Sequence, residues 1–288
     1  MGMSHGMLGS EMRGSAHSAA LGLRSSALSA ALVIGVCGSA AAQRPELARA
    51  REAYNQRQFD TAIEAAQAAQ KSAATLDVAT VVLARAHLER YRERANPDDL
   101  SAARVALGTV RVSNLDARDH VDFLMALGEA LFFEDDYGAA AALFESGLDG
   151  ALAQGPTTGE AMLDWWGSAM ERHGDRLDPD RRAAAFARLR DRMARELARH
   201  PGSAAAAYWI VVGTRGTGDA AAAWDAAIAG WVRARLAGSR SATLRADLDR
   251  LVLEGIIPDR VRLLPADQRE RAESDLRTEW AVVKERWK

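Results

Sequence analysis

One stretch of the chain, residues 121–148, constrains the fold more than any other. It reads VDFLMALGEALFFEDDYGAAAALFESGL, and its apolar residues recur every three or four positions up to Phe133 and again from Tyr137. This spacing is typical of amphipathic helices, and three acidic residues separate the two apolar sets. The stretch therefore predicts two helices joined by a short polar turn. The small residues Gly128 and Ala140 would let these helices approach closely.

The order of residues in this hairpin resembles the tetratricopeptide repeat, a helical hairpin of about 34 residues. The first helix carries a large residue, a Leu-Gly pair and a second large residue, and the second helix carries a tyrosine, an alanine, an aromatic residue and a glycine. The matching positions are Leu124, Leu127, Gly128, Leu131, Tyr137, Ala140, Phe144 and Gly147. The resemblance is best over residues 121–150 and weaker over 45–112 and 157–237. It implies a solenoid, because each such hairpin buries its apolar face against its neighbours.

The remainder of the mature chain also favours helix. Phe59 and Ala62 stand where Tyr137 and Ala140 stand in the best unit. Alanine is abundant and only seven prolines occur, which suits helices, and no stretch alternates with the period of a strand. We predict an all-α fold, a right-handed solenoid of tetratricopeptide-like helical hairpins with a C-terminal helical cap. Its segments are repeats over residues 43–150, divergent hairpins packed on them over 151–238, and the cap over 239–288, with helices at about 242–256 and 266–287.

The N-terminal region has the pattern of a secretory signal. Arg13 and Arg24 precede an apolar run over residues 27–37, and small residues follow up to Ala42. This order is typical of a signal peptide, and the run is shorter than the ~20 residues that span a bilayer. We therefore predict a signal peptide over residues 1–42, cleavage after Ala42 and a periplasmic protein.

Two points about this region stay open. Translation could start at Met1 or at Met12, since the second start gives a more usual signal length. Cys37 is the only cysteine, and lipidation of Cys37 would make the protein a membrane-anchored lipoprotein. Val36 fits a lipoprotein signal poorly, so removal of Cys37 with the signal is the favoured interpretation.

Charge and motifs give no support to catalysis. The formal net charge of −2 offers no polybasic face, so nucleic acid is not an expected partner. The acids at 134–136 suit a solvated turn in which Asp136 caps the second helix. The histidines are scattered without metal-ligand spacing, and GTRGTGD at 213–219 suits a turn between helices better than a phosphate loop. We predict no catalytic residue, no metal site and no cofactor.

The resemblance implies a binding surface, because the first helices of tetratricopeptide repeats line a concave groove that holds peptides or helices. The groove positions that it implies are Arg51, Tyr54 and Asn55, then Val81, Arg85 and Glu89, then Asp122, Met125, Glu129, Phe132 and Phe133. A mixture of charged and aromatic side chains suits polypeptide recognition. The alternative for Phe132 and Phe133 is packing against neighbouring helices. Trp165 and Trp166 cannot both face one side of a helix, so we expect one of them to be an exposed contact.

These observations favour an exported, non-catalytic interaction module or scaffold that presents its groove to a polypeptide partner in the cell envelope. Two alternatives remain. One is a periplasmic small-ligand-binding accessory protein of a transporter, with an apolar pocket near Trp165, Trp166 and Trp209. The other is an enzyme with an unrecognised site, which would need acids and histidines of shifted pKa in one cleft.

Overall fold

The computed structural model describes residues 45–288, and the predicted signal peptide over 1–42 lies outside the described residues. The described part is helical throughout and contains no strand, so the predicted all-α class is confirmed. Short 3-10 helices cover Val112–Asn114 and Ala234–Arg240, and a π-helical turn covers Val252–Ile256. The α-helices are α1 Pro45–Asn55, α2 Phe59–Ala69, α3 Leu76–Arg94, α4 Pro97–Thr109, α5 Ala117–Phe133, α6 Tyr137–Ala153, α7 Pro156–Gly174, α8 Pro179–Arg199, α9 Ala204–Gly216, α10 Ala220–Arg233, α11 Ser241–Leu251, α12 Ile257–Arg262 and α13 Ala266–Arg286.

The first ten α-helices pack against their neighbours along the chain. Each helix contacts the next one along the chain, from the α1–α2 pair to the α9–α10 pair. In addition, α1 contacts α3, α3 contacts α5, α5 contacts α7, α7 contacts α9 and α9 contacts α11. The odd-numbered helices from α1 to α11 therefore form a continuous row of contacts.

The hairpin predicted from residues 121–148 is present as α5 and α6. The side chain of Asp136 accepts a hydrogen bond from the backbone N–H of Ala139 at 3.3 Å, which caps the N-terminus of α6. A Cβ atom added to Gly128 would lie 2.4 Å from the Phe144 ring, so only glycine permits this approach of α5 to α6. The prediction that the acids mark a turn is confirmed.

A buried polar cluster joins α2, α3 and α4. Asp99 is almost fully buried, accepts a hydrogen bond from Arg90 Nη2 at 2.5 Å and lies 2.8 Å from His87 Nδ1. Arg90 also donates to Asp60 on α2 at 2.6 Å. Removing one partner would leave a buried charge unpaired, so His87 and Arg90 together stabilise the buried Asp99 carboxylate.

The C-terminal region differs from the prediction. The sequence IIPDRVRLLP was expected to separate two helices, but α11 continues through the π-helical turn into α12. Pro258 is the second residue of α12 and directly follows the π-helical turn, so the helix continues through a proline. Trp280 of α13 is fully buried, with its ring centroid 5.4 Å from that of Trp231 and 5.9 Å from that of Trp224. Thus α13 packs against the tryptophans of α10.

Candidate functional site

A cavity of about 300 Å³ lies between the odd-numbered helices α1, α3, α5 and α7. We call it the groove cavity. Six of the eleven predicted groove residues line it, and these are Arg51, Tyr54, Asn55, Arg85, Asp122 and Met125. The other lining residues are Val82, Arg118, Gln154, Thr157, Thr158 and Ala161.

Arg85 organises the wall of the groove cavity. Its Nη1 donates to Asp122 at 2.5 Å, and its Nη2 lies 3.7 Å from the sulfur of Met125. Its guanidinium carbon lies 4.7 Å from the centroid of the Tyr54 ring, a cation–π contact. One side chain of α3 thereby holds residues of α1 and α5 in fixed positions, because a charge-assisted hydrogen bond is stronger and shorter than a neutral one.

Two arginines lie at the rim of the groove cavity, and within the described part of the chain only one of them is paired with a carboxylate. Arg51 donates to Asp119 at 2.6 Å, so its charge is balanced by a nearly buried carboxylate. Arg118 is exposed and forms no ion pair with any residue of the 45–288 range. The hydroxyls of Thr157 and Thr158 at the start of α7 add donors and acceptors. The rim therefore offers one unneutralised cation beside neutral hydrogen-bonding groups.

Two predicted groove residues, Glu89 and Glu129, do not line the cavity, although both interact electrostatically with its lining residues Tyr54 and Arg85. Glu129 is only 2% exposed, and burial, followed by the charge of Glu89, raises its pKa to about 8 against the opposing charges of Arg85 and Arg92. Glu89 Oε2 lies 2.5 Å from a guanidinium nitrogen of Arg92. Burial also raises the pKa of the Tyr54 phenol.

The assignments of Val81 and Phe132 to the groove were wrong. Val81 is 2% exposed and belongs to the core, whereas its neighbour Val82 lines the cavity. One residue along a helix turns the side chain by about 100°, so a register error of one position moves a residue from groove to core. Phe132 is 3% exposed, and the half-buried Phe133 packs edge-on against Tyr91 at 5.1 Å between centroids. Both rings pack against neighbouring helices.

The expectation that Trp165 or Trp166 is exposed was also wrong, since they are 5% and 0% exposed. Trp165 stacks on Phe144 at 5.8 Å and meets Phe132 edge-on at 5.3 Å. Helix α7 contacts α5, α6, α8 and α9, so it is covered on opposite sides and both rings are buried. Trp209 is likewise buried and donates to Asp164 at 3.0 Å.

Sequence reasoning missed Arg118, Gln154, Thr157 and Thr158. These residues lie in the first turn of α5 and around the start of α7, outside the positions that the repeat pattern assigns to the groove. The signal that could have found the last two is the Gly-Pro-Thr-Thr sequence at 155–158, in which proline opens the next odd-numbered helix.

Within residues 45–288 no group of three or more histidine, cysteine, aspartate or glutamate side chains is placed to hold a metal ion. Over the same residues, none of the helices combines the length and apolarity that crossing a membrane requires. No family model, curated protein or solved structure matches this chain. The tetratricopeptide resemblance therefore rests on the residue pattern of this chain alone.

Proposed function

We propose that this chain is an exported, non-catalytic interaction module of the tetratricopeptide type, and that its groove cavity receives a polypeptide partner in the cell envelope. The observation that carries the proposal is the convergence of six residues on one cavity. Their positions were taken from the repeat pattern in three separate hairpins. The other five predicted positions do not line the cavity, and Val81 among them misses it by one position along α3.

The packing of the helices supports the repeat architecture within this proposal. Stacked helical hairpins require each first helix to contact the first helix of the next hairpin, and the row of contacts from α1 to α11 has that order. We infer a right-handed solenoid in which the odd-numbered helices face the concave side. The groove cavity then belongs to the concave surface.

The chemistry of the groove cavity supports a polypeptide ligand. Arg51 and Arg85 are held by Asp119 and Asp122 before any ligand arrives, so little side-chain entropy is lost on binding. The exposed Arg118 and the threonine hydroxyls match backbone carbonyls and polar side chains. We propose no nucleic-acid partner, and we propose a membrane contact only for the case in which Cys37 is lipidated.

Export is the second part of the proposal, and the mass of the mature N-terminus tests it. We expect a chain that begins at Gln43. A lipidated Cys37 at the N-terminus would establish the membrane-anchored alternative, and a mature chain that retains Arg13 and Arg24 would contradict export.

A quantitative pull-down from cell-envelope extract tests the binding site, with the full chain as bait. Arg118→Glu reverses the charge at the rim, and because Arg118 is exposed the fold should persist, which circular dichroism checks. Arg271→Glu is the matched control, since Arg271 is exposed on α13. We expect a set of polypeptides that the parent and the control retain and that Arg118→Glu recovers at least tenfold less. Equal recovery by all three baits would contradict the proposal.

A further inference from the structure

A second cavity, of about 480 Å³, lies where the C-terminal ends of α7 and α9 meet the start of α8 and helix α12. We call it the α7–α12 cavity. Charged side chains of both signs line it, and they surround the ring of Phe186. The charged lining residues are Glu171, Asp175, Arg182, Arg215, Asp259 and Arg262.

Glycines at three positions make room for the side chains that shape this cavity. A Cβ atom added to Gly216 would lie 2.1 Å from the Phe186 ring, and one added to Gly174 would lie 2.8 Å from it. A Cβ atom added to Gly255 would lie 2.9 Å from the guanidinium carbon of Arg215. Gly255 belongs to the π-helical turn, and π-helical turns occur frequently at functional sites. The backbone is thus arranged to seat one aromatic ring and one guanidinium.

Within residues 45–288, three guanidinium groups in the cavity pair with only two carboxylates. Arg182 Nη2 lies 3.0 Å from Asp175. Arg215 Nε donates to Asp259 at 2.7 Å, and Arg262 Nη2 lies 3.2 Å from the other oxygen of the same carboxylate. Two cations therefore share one anion, which leaves capacity for a further carboxylate at Arg215 and Arg262.

Glu171, by contrast, is a carboxylate with no paired cation among the described residues. It lines the cavity, and its carboxyl forms no hydrogen bond or ion pair with any residue between 45 and 288. Burial, followed by the charge of Asp175, raises its pKa to about 7, although Arg172, Arg215 and Arg182 oppose this shift. A half-buried carboxylate that forms no ion pair is stabilised by a cation that reaches it.

We propose that the α7–α12 cavity binds a small dipolar molecule that carries both a primary ammonium and a carboxylate, such as a free amino acid or a short peptide. The ammonium pairs with Glu171, and the carboxylate pairs with Arg215 and Arg262. A ligand that carries only an ammonium leaves Arg215 and Arg262 incompletely paired, and a ligand that carries only a carboxylate leaves Glu171 unpaired. The site therefore discriminates against both. This site shares only α7 with the groove cavity, which lies at the opposite end of that helix, and it extends beyond the proposed function.

Isothermal titration calorimetry with the full chain at pH 7 tests the proposal. The probes are glycine, L-leucine and the dipeptide glycyl-L-leucine, and the last separates a peptide site from an amino-acid site. Each has analogues that lack one charge: methylamine and acetate for glycine, 3-methylbutylamine and 4-methylpentanoate for leucine, and the amidated and acetylated forms of the dipeptide. We expect at least one dipolar probe to bind at least tenfold more tightly than both of its analogues. Absence of binding by all three dipolar probes at millimolar concentration, or equal binding by an analogue, would overturn the proposal.

A variant locates the ammonium. Glu171→Gln keeps the size of the side chain and removes its charge, so we expect at least tenfold weaker binding of the dipolar probe and unchanged binding of its carboxylate analogue. Glu279→Gln is the matched control on the exposed face of α13. Dipolar binding that survives Glu171→Gln would overturn the assignment.

Proton release gives an independent readout. Glu171 is faced by Asp175 and Arg172 of α7, Arg182 of α8 and Arg215 of α9, with the Arg262 and Asp259 pair on α12. An ammonium beside Glu171 lowers its raised pKa, so binding near pH 7 releases a fraction of a proton from this carboxyl. Titrations in two buffers of different ionisation enthalpy measure this release. We expect it in the parent and not in Glu171→Gln, and its absence from the parent would contradict the role of Glu171.

Discussion

Glu129 gives a pH dependence to the stability of the fold. Its pKa is about 8 in the folded chain and ordinarily 4.5, so the folded state holds its proton more tightly than the unfolded state between these values. The free energy of unfolding therefore falls as pH rises through this window and levels off above it. One proton contributes at most about 1.4 kcal/mol per pH unit, which sets an upper limit of roughly 5 kcal/mol across the window.

The substitution Glu129→Gln isolates this contribution, because glutamine has a similar size and no proton to lose. We expect the variant to gain stability relative to the parent as pH rises from 5 to 8.5, with little difference at the acid end. Urea unfolding followed by circular dichroism at each pH measures the difference. Glu171, whose pKa is also raised, affects parent and variant alike and cancels. The exposed Glu64→Gln on α2 is the matched control. A stability difference that stays constant or reverses with pH would refute the reasoning.

Two further predictions concern packing, and both are checked by urea unfolding. A Cβ atom at Gly167 would lie 2.3 Å from the buried ring of Trp209, so Gly167→Ala should cost roughly 2 kcal/mol despite its better helix propensity. Gly108→Ala, where nothing lies within 4 Å, should instead stabilise by up to about 1 kcal/mol; equal effects would contradict the contact. Trp165→Ala should lower the free energy of unfolding by about 3–5 kcal/mol because the ring is buried. A loss below about 0.5 kcal/mol would instead indicate that Trp165 is exposed, as the sequence analysis expected.

The helical hairpins were predictable because their signals are local. Apolar spacing placed α5 and α6, and the capping role of Asp136 followed from its position before an apolar set. Helix α12 was missed because a proline inside a continuing helix and a proline in a linker look alike in sequence. The interpretation of residues 213–219 as a turn was right only from residue 217, because α9 continues through Gly216 and Asp219 then caps α10.

The candidate sites were only partly predictable, because they depend on tertiary contacts between helices. The groove cavity was reached through the repeat register, which failed by one position at Val81. Trp165 and Trp166 were misjudged because a helix covered on opposite sides buries both of two adjacent residues. The α7–α12 cavity brings together Glu171 and Arg262, which lie far apart in the chain. No pattern of residue spacing in the sequence predicts that these two residues lie in one cavity.

The most direct test of the account is contact between the groove cavity and a partner. A photo-crosslinking residue placed at the exposed Asn55 lies on the cavity wall, and one placed at Val105, which is 64% exposed on α4, lies away from it. Both variants are irradiated in living cells that express the full chain, and crosslinked products are identified by mass spectrometry. The account predicts a polypeptide that crosslinks from Asn55, not from Val105, and that is lost with Arg118→Glu. Crosslinking from Val105 alone, or from neither position, would contradict a polypeptide-binding groove.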